Sequence, residues 1–465
     1  MKILDTIAAV STPRGKGGVA MIRISGGNAV EISSRVFFPK SGKNLTDIAA
    51  NTAFYGDIKS REAGGRLVTI DDGVAVIYRA PHSFTGEDTV EICCHGGILV
   101  TESVLSACLA AGCRQAEAGE FTRRAFISGR LGLSEAEDLG ALLEAKTHGQ
   151  MLLSRNGLDG HLRDEIEDIY ISLREILASV YAKIDFPDED LASVGEAEML
   201  RGVERTKERL LALERTYKTG RAVREGVKTV ICGRTNAGKS SIYNRIVGRE
   251  AAIVTDVEGT TRDILENTAE LGGITVLLCD TAGLRETDDV VENIGIGRSR
   301  AAIAEAELVL AVFDASSALG EEDKGLIEEL KKRGDVVAIL NKSDCDNICA
   351  DTVKQIEENM QRRVKLSAKT GVGFSELEKA VRDIFDADGI DLREDAVITN
   401  ARQRAAVLWA IEGLDLAAGG LRSGLTVDLC GTDIEYAMSA LAEIEGREVT
   451  EDIVSDIFAH FCVGK

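Results

Sequence analysis

No stretch of this 465-residue chain reaches the roughly 18 uninterrupted apolar residues that a membrane span requires. Its start, MKILDTIAAVSTPRGKGG, has an early lysine but lacks the long apolar centre and small-residue cleavage site of a secretory signal. The expectation is therefore a cytoplasmic protein without a membrane anchor. Paired cysteines are missing too: the ten at positions 93, 94, 108, 113, 232, 279, 345, 349, 430 and 462 form no C-x-x-C spacing, which argues against a zinc ribbon and a disulfide framework. Five histidines in no H-x-x-x-H pattern argue against a structural transition-metal site. Positive charge is in deficit, with 55 Lys and Arg against 77 Asp and Glu and a net charge of −22, so nonspecific coating of nucleic acid is disfavoured. A nucleic-acid substrate stays open if a local patch or a basic partner supplies the contacts. Only four prolines and 44% hydrophobic residues point to a chain that is mostly folded, long enough for about three domains.

Four textures follow one another. Residues 1–120 alternate β-rich runs (VAMIRIS, GVAVIYRA, TVEICCHGG) with glycine turns and one helical stretch, ILVTESVLSACLAAG, as in a small α+β domain. Residues 121–220 are helical: LSEAEDLGALLEAKT repeats leucines at helical spacing, and Ser134 followed by Glu137 reads as a capping box. Residues 221–385 alternate strand and helix, the pattern of a mostly parallel sheet. Residues 386–465 are helical again. The fold class expected is thus multidomain α/β and α+β: an α/β domain inserted in a helical domain, preceded by an N-terminal α+β domain.

The most informative spacing is Gly233-Arg234-Thr235-Asn236-Ala237-Gly238-Lys239-Ser240, between the apolar run VKTVIC and the helix-like SIYNRIVG. A strand, a G-x-x-x-x-G-K-S loop and a helix make a phosphate cradle: backbone N–H groups of Asn236 through Ser241 face the phosphates, Lys239 reaches the outer ones and Ser240 ligates Mg²⁺. Asp280-Thr281-Ala282-Gly283 ends the strand TVLLC, where a carboxylate can hold the Mg²⁺ shell and a glycine N–H can sense the γ-phosphate. Asn341-Lys342-Ser343-Asp344 ends VVAIL, and Ser367-Ala368-Lys369 follows VKL. Asp344 can accept from guanine N1–H and the 2-amino group, whereas adenine would leave a carboxylate unpaired. In isolation Asp344 would read equally well as a capping aspartate; four motifs in order favour the nucleotide reading. Thr255-Asp256-Val257-Glu258-Gly259-Thr260-Thr261 lies between the first two motifs and suits a segment that closes over the γ-phosphate, with Thr261 completing the Mg²⁺ shell; by composition it could be a plain surface loop. Leu284 stands where Ras-type proteins carry a water-orienting glutamine, so another group must position the attacking water. The motifs together predict a GTP-binding, GTP-hydrolysing domain.

Beyond these motifs, DTIAAVSTPRGKGGVAMIRISG, SFTGEDTVEICCHGG and GEFTRRAFISGRLGLSEAEDL near the N-terminus, GTTRD and DTAGLRE in the middle, and the terminal Cys462-Val463-Gly464-Lys465 resemble the tRNA-modification GTPase family MnmE, also called TrmE, along the whole chain. That resemblance implies a homodimer whose N-terminal domains bind a 5-formyltetrahydrofolate-type cofactor. It implies an FAD- and NADH-using partner of the MnmG (GidA) kind, and the addition of an aminomethyl or carboxymethylaminomethyl group to the wobble uridine of certain tRNAs. By motif position it assigns folate contacts to Arg23, Glu87 and Arg130, with Lys465 nearby. The family usually carries lysine where Arg130 stands, which keeps the charge but changes the hydrogen-bond geometry. It further implies a K⁺ site from the Asn236 side chain, the Thr255 and Val257 carbonyls and Thr260, with Glu292 as the catalytic glutamate acting through one water. It places a catalytic thiol at Cys462, where IFAHFC also has the pattern of a buried helix end. Two other classes stay open: a ribosome-assembly GTPase, which would need a basic RNA-binding module, and a folate-dependent one-carbon transferase with a regulatory G domain.

Overall fold

The computed structural model describes residues 5–62, 64–185, 195–249, 267–279 and 301–447, together with 454, 457–459, 461 and 464. Two compact units emerge, one from 1–140 with 445–465 and the other from 141–444. Among the described residues no helix is long and apolar enough to cross a membrane.

The first unit is built on a seven-stranded sheet of β1 (Ile7–Val10), β2 (Val19–Ser25), β3 (Phe37–Pro39), β4 (Thr52–Arg61), β5 (Leu67–Tyr78), β6 (Thr89–His95) and β7 (Arg114–Gln115), in the order β3-β4-β5-β6-β2-β1-β7. All neighbours run antiparallel except β1 and β7. Period-two alternation decides which face is covered. In β2, Ala20, Ile22 and Ile24 are buried in one cluster with Ile58, Ile77 and Ile92, and helix Ile98–Ala111 adds Val104, Ala107 and Cys108. Each buried isoleucine or valine among them contributes about 1.5–3 kcal/mol of burial. A second, small cluster gathers Ile7, Ala9, Ala116 and Phe121, the last from helix Glu120–Ile127. The next helix, Leu133–Glu144, begins one residue before Ser134; the carboxylate that turns back to cap it is Glu135, which accepts from the Gly132 N–H at 2.7 Å. Ser134 is buried in that first turn instead of standing outside it. The C-terminal segment returns to this unit: the Phe458 ring packs at a tilt against those of Phe126 and Phe461, and Ser11 Oγ donates to the Gly464 carbonyl at 2.9 Å.

The second unit contains a six-stranded sheet of β8 (Val227–Cys232), β9 (Asn267–Leu271), β10 (Ile274–Leu278), β11 (Leu308–Asp314), β12 (Val336–Asn341) and β13 (Arg363–Lys365), ordered β13-β12-β11-β8-β10-β9. Only β9 is antiparallel to its neighbour. The unbroken apolar run LVLAVF makes β11 a wholly buried interior strand, as parallel sheets covered on both faces require. Helices His161–Asp185, Glu196–Arg215, Ala401–Arg422 and Val427–Ile444 form a bundle whose core includes Leu173, Val203, Leu210, Val407, Leu414 and Leu441. Asn400 caps the third of these by accepting from the Gln403 N–H. The inserted α/β part is tied to the helices at its entry and exit. Thr275 Oγ1 donates to the Val223 carbonyl at 2.8 Å, and Thr219 Oγ1 donates to the Phe385 carbonyl at 2.7 Å. This is the inserted, mostly parallel α/β domain that the alternation of strand and helix predicts.

Candidate guanine-nucleotide site

The loop after β8 takes its shape from three positive-φ residues, Gly233 (+140°), Asn236 (+61°) and Gly238 (+100°), ahead of helix Lys239–Arg249. Two of them have no room for a side chain. A Cβ on Gly233 would lie 2.2 Å from the Val312 carbonyl oxygen, and one on Gly238 would lie 2.0 Å from Asn341 Nδ2. The backbone thus curls tightly at the helix N-terminus, where unpaired N–H groups and the helix dipole favour an anion. Lys239 folds back over this loop and donates to the Gly233 and Arg234 carbonyls at 2.9 and 2.8 Å. Burial holds its pKa below the usual lysine value. A partly desolvated ammonium resting on two neutral carbonyls gains by exchanging them for phosphate oxygens. Ser240 and Ser241 are exposed in the first turn, free to meet a metal and phosphates.

The other sequence motifs sit on neighbouring strand ends, where open parallel sheets take ligands. Asn341, buried at the end of β12, donates from Nδ2 to the Ala237 carbonyl at 2.8 Å and accepts at Oδ1 from the Ala368 N–H at 3.0 Å. One side chain therefore joins the phosphate loop to the loop after β13. Lys342 adopts φ +63° and pairs with Asp314 Oδ2 at 2.7 Å. Asp344 Oδ1 accepts from Ser367 Oγ at 2.7 Å, which lowers its carboxyl pKa and keeps it an acceptor, the form that guanine's two donors need. Lys369 is exposed beside this loop. Asn236 through Ser241, Asn341, Lys342, Asp344 and Ser367 through Lys369 thus stand on connected loops at one end of the sheet. Thr255, Asp256, Val257, Glu258, Gly259, Thr260, Thr261, Asp280, Thr281, Ala282, Gly283 and Glu292 lie outside the described residues.

The first unit carries a separate polar cluster. Arg23 on β2 is largely buried: its guanidinium donates to Glu91 Oε1 at 2.9 Å and lies over the rings of Phe84 and Phe121. Glu87, after the positive-φ Gly86, accepts from Ser25 Oγ at 2.8 Å and from Arg124 Nη1 at 3.1 Å. Arg124 is 1% exposed and also donates to Asp5 and Glu120. The turn bearing Arg130 adjoins Glu87's loop, because Ser128 Oγ donates to the Thr85 carbonyl at 2.7 Å. Cys462 and Lys465 lie outside the described residues, although Gly464 between them packs against β1, where a Cβ would come 2.1 Å from the Val10 carbonyl oxygen.

Two family descriptions match this chain: "MnmE helical domain" over residues 133–462 and "GTP-binding protein TrmE N-terminus" over residues 6–130. The chain is 42% identical over 462 residues to the tRNA modification GTPase MnmE of Lactococcus lactis subsp. lactis, covering 99% of this chain and 98% of that one. It is 42% identical over 463 residues to that of Symbiobacterium thermophilum, and 38% identical over 463 residues to that of Acetivibrio thermocellus, with 99% of each chain covered in both comparisons. The chain belongs to the MnmE family of tRNA-modification GTPases.

It is accordingly a GTP hydrolase, and binding of GTP with Mg²⁺ belongs to that assignment. The phosphate loop fits both: its turn excludes side chains, its lysine has only neutral acceptors among the described residues, and Ser240 offers a hydroxyl at the first helical turn. Two side chains escape a reading of the sequence alone. Arg124 organises the MnmE N-terminal cluster and Arg245 grips the loop after β13, yet the runs that hold them, GEFTRRAFISGRLGLSEAEDL and SIYNRIVG, give neither arginine a role of its own. Charge on an amphipathic helix is normally solvated, so no local signal separates them from surface arginines.

Proposed function

We propose that this MnmE-family chain couples GTP hydrolysis to the modification of the wobble uridine of certain tRNAs. It acts with an FAD- and NADH-dependent MnmG-type partner that helps form the aminomethyl or carboxymethylaminomethyl group at C5. The reading is carried by a likeness that extends end to end, past the nucleotide domain into residues 6–130, where Arg23, Glu87 and Arg130 stand. In this reading the chain is a cytoplasmic homodimer, and a formyl-tetrahydrofolate binds to those three residues with Lys465. Glu87 suits the role chemically, because a carboxylate can accept from adjacent ring N–H and amino donors of a pterin. The four-part division into 1–120, 121–220, 221–385 and 386–465 assigns dimerisation and most of folate binding to the first part, with Arg130 from the second and Lys465 from the fourth, and hydrolysis to the third.

Within the hydrolytic site, Ser240 and Thr261 would hold Mg²⁺, which would supply charge neutralisation to the phosphates. Asn236, the Thr255 and Val257 carbonyls and Thr260 hold K⁺, Lys239 holds the outer phosphates, and Glu292 orients the attacking water that Leu284 cannot. GTP turnover should rise in K⁺ and stay low in Na⁺; equal rates overturn the cation site. Glu292→Ala should bind GTP normally and nearly cease to hydrolyse it.

The decisive measurement is wobble-uridine modification in a reconstituted reaction with the flavin partner, GTP, folate and tRNA. Omitting this chain should abolish the product. Cys462→Ser should reduce modification while leaving GTP hydrolysis intact, because a thiolate favoured by nearby Lys465 acts outside the nucleotide domain. Modification that proceeds without this chain overturns the function; undiminished modification by the serine variant removes the thiol from the chemistry.

A further inference from the structure

Six residues past the phosphate-loop lysine, on the same helix, Arg245 turns away from solvent and reaches the loop after β13. Its Nη1 donates to the carbonyls of Ala368 and Lys369 at 3.0 and 3.3 Å, and its Nη2 to that of Thr370 at 3.2 Å. The guanidinium lies 5.6 Å from the Phe374 ring centroid, and its buried Nε has no acceptor among the described residues. Gly371 makes room: it has φ +88°, and a Cβ there would meet Arg245 Nη2 at 2.1 Å.

We propose that Arg245 is a positioning residue for guanine, acting through the loop it grips. The connection is continuous. Arg245 holds the Thr370 carbonyl, the Thr370 N–H donates to Ser367 Oγ at 3.1 Å, and Ser367 Oγ donates to Asp344 Oδ1 at 2.7 Å. The Ala368 peptide is held on both sides, its N–H by Asn341 and its carbonyl by Arg245. A planar fork with five donors can fix three carbonyls at once, which a lysine's single ammonium does less rigidly. Releasing the fork frees Ser367 and lets the Asp344 carboxylate wander from the geometry that accepts two donors from guanine. Discrimination should suffer more than phosphate binding, since Lys239 and the loop N–H groups stay in place.

The proposal rests on the reading of Asp344 as the guanine acceptor, so the experiment tests both. Affinities for GDP and inosine diphosphate, which lacks the 2-amino group, are measured by titration for the wild-type chain, Arg245→Met, Arg245→Lys and Asp344→Ala. Methionine keeps the apolar stem over Phe374 and removes every donor. Arg245→Met should weaken GDP about tenfold and shrink the GDP preference severalfold, with kcat for GTP within about twofold of wild type. Lysine should restore part of the preference. An equal loss for both nucleotides, or no loss, overturns the proposal. If Arg245→Met shows no cooperative melting transition, Arg245→Lys decides, and an unchanged preference then overturns it. Asp344→Ala should abolish the preference; if it does not, the guanine reading itself fails, whereas if it does and Arg245→Met keeps the wild-type ratio, only Arg245's role is lost.

Discussion

The phosphate cradle of the second unit is made mostly of backbone from one loop of eight residues, whereas the polar cluster of the first is made of side chains from Asp5, Ser25, Glu87, Arg114, Glu120 and Arg124. A backbone site needs only the right glycines and a helix behind them, so its binding groups survive most side-chain changes. A side-chain site needs its counterions in place to stay folded. Arg124 and Glu120 are nearly inaccessible, and a buried charge without its partner is costly. The two sites should therefore fail differently, the first by losing activity and the second by losing structure.

The sharpest test of that difference is Arg124→Leu. Removing the 1%-exposed guanidinium leaves half-buried Glu87 without its cationic partner and Glu120 with Arg114 alone, at an expected cost of about 3 kcal/mol to the first unit. Hydrogen exchange at the amides of β1 and β2 should report it. Trp409, the single tryptophan, lies in the second unit, and its unfolding transition in denaturant should stay put. Wild-type protection of the β1 and β2 amides would show that the cluster is not structural.

Lys239→Ala should behave in the opposite manner. Its acceptors are two neutral carbonyls, so deletion strands no charge, and exchange protection should be unchanged throughout. Hydrolysis should drop about 100- to 1,000-fold, the usual loss for a donor aimed at developing charge. Loss of protection comparable to that of Arg124→Leu would erase the contrast.

Legibility in the sequence follows the same division. Gly233, Gly238, Asn341 and Asp344 announce themselves because loop conformation and strand ends are local properties, and the apolar runs of β8, β10 and β12 mark those strands plainly. Arg124 is silent because its partners Asp5 and Glu87 lie 119 and 37 residues away, and only the topology brings them together. Arg245 is silent for the same reason, its acceptors lying more than a hundred residues downstream. Ser134 and Glu137 show a smaller version of the effect. Their spacing suits a cap, but the turn closes at Gly132, so Glu135 does the capping. The antiparallel β9 escapes notice as well, because NTAEL is short and weakly apolar, and its place is fixed by pairing with β10.

A milder change probes the first unit without breaking it. Glu87→Gln keeps the shape and the Ser25 contact but removes the charge facing Arg124. With Asp5 and Glu120 still pairing the arginine, the fold should persist, while formyl-tetrahydrofolate affinity should fall about tenfold through loss of a charged acceptor. Calorimetric titration measures this, and unchanged affinity would remove Glu87 from the proposed folate site.

The smallest expected effect is an acid sensitivity of that cluster. Burial opposes ionisation of both Asp5 and Glu120, but hydrogen bonds from Arg114 and Arg124 outweigh it, and both carboxyls lie below their ordinary values. A carboxylate whose folded pKa is depressed adds stability that is fully present above its unfolded pKa and is lost as pH falls through the folded one. The first unit should therefore keep its stability down to about pH 4 and lose it progressively below. Asp5 is 44% exposed at its side chain and contributes the smaller part because solvent screens it, so Glu120 should dominate. Comparing β1 and β2 amide exchange with pH in wild type and Glu120→Gln isolates that part, once the intrinsic pH dependence of exchange is removed. The variant should start less stable near neutrality and fall less steeply in acid, the two curves converging. Parallel curves would mean that Glu120 is not the group whose protonation loosens the unit.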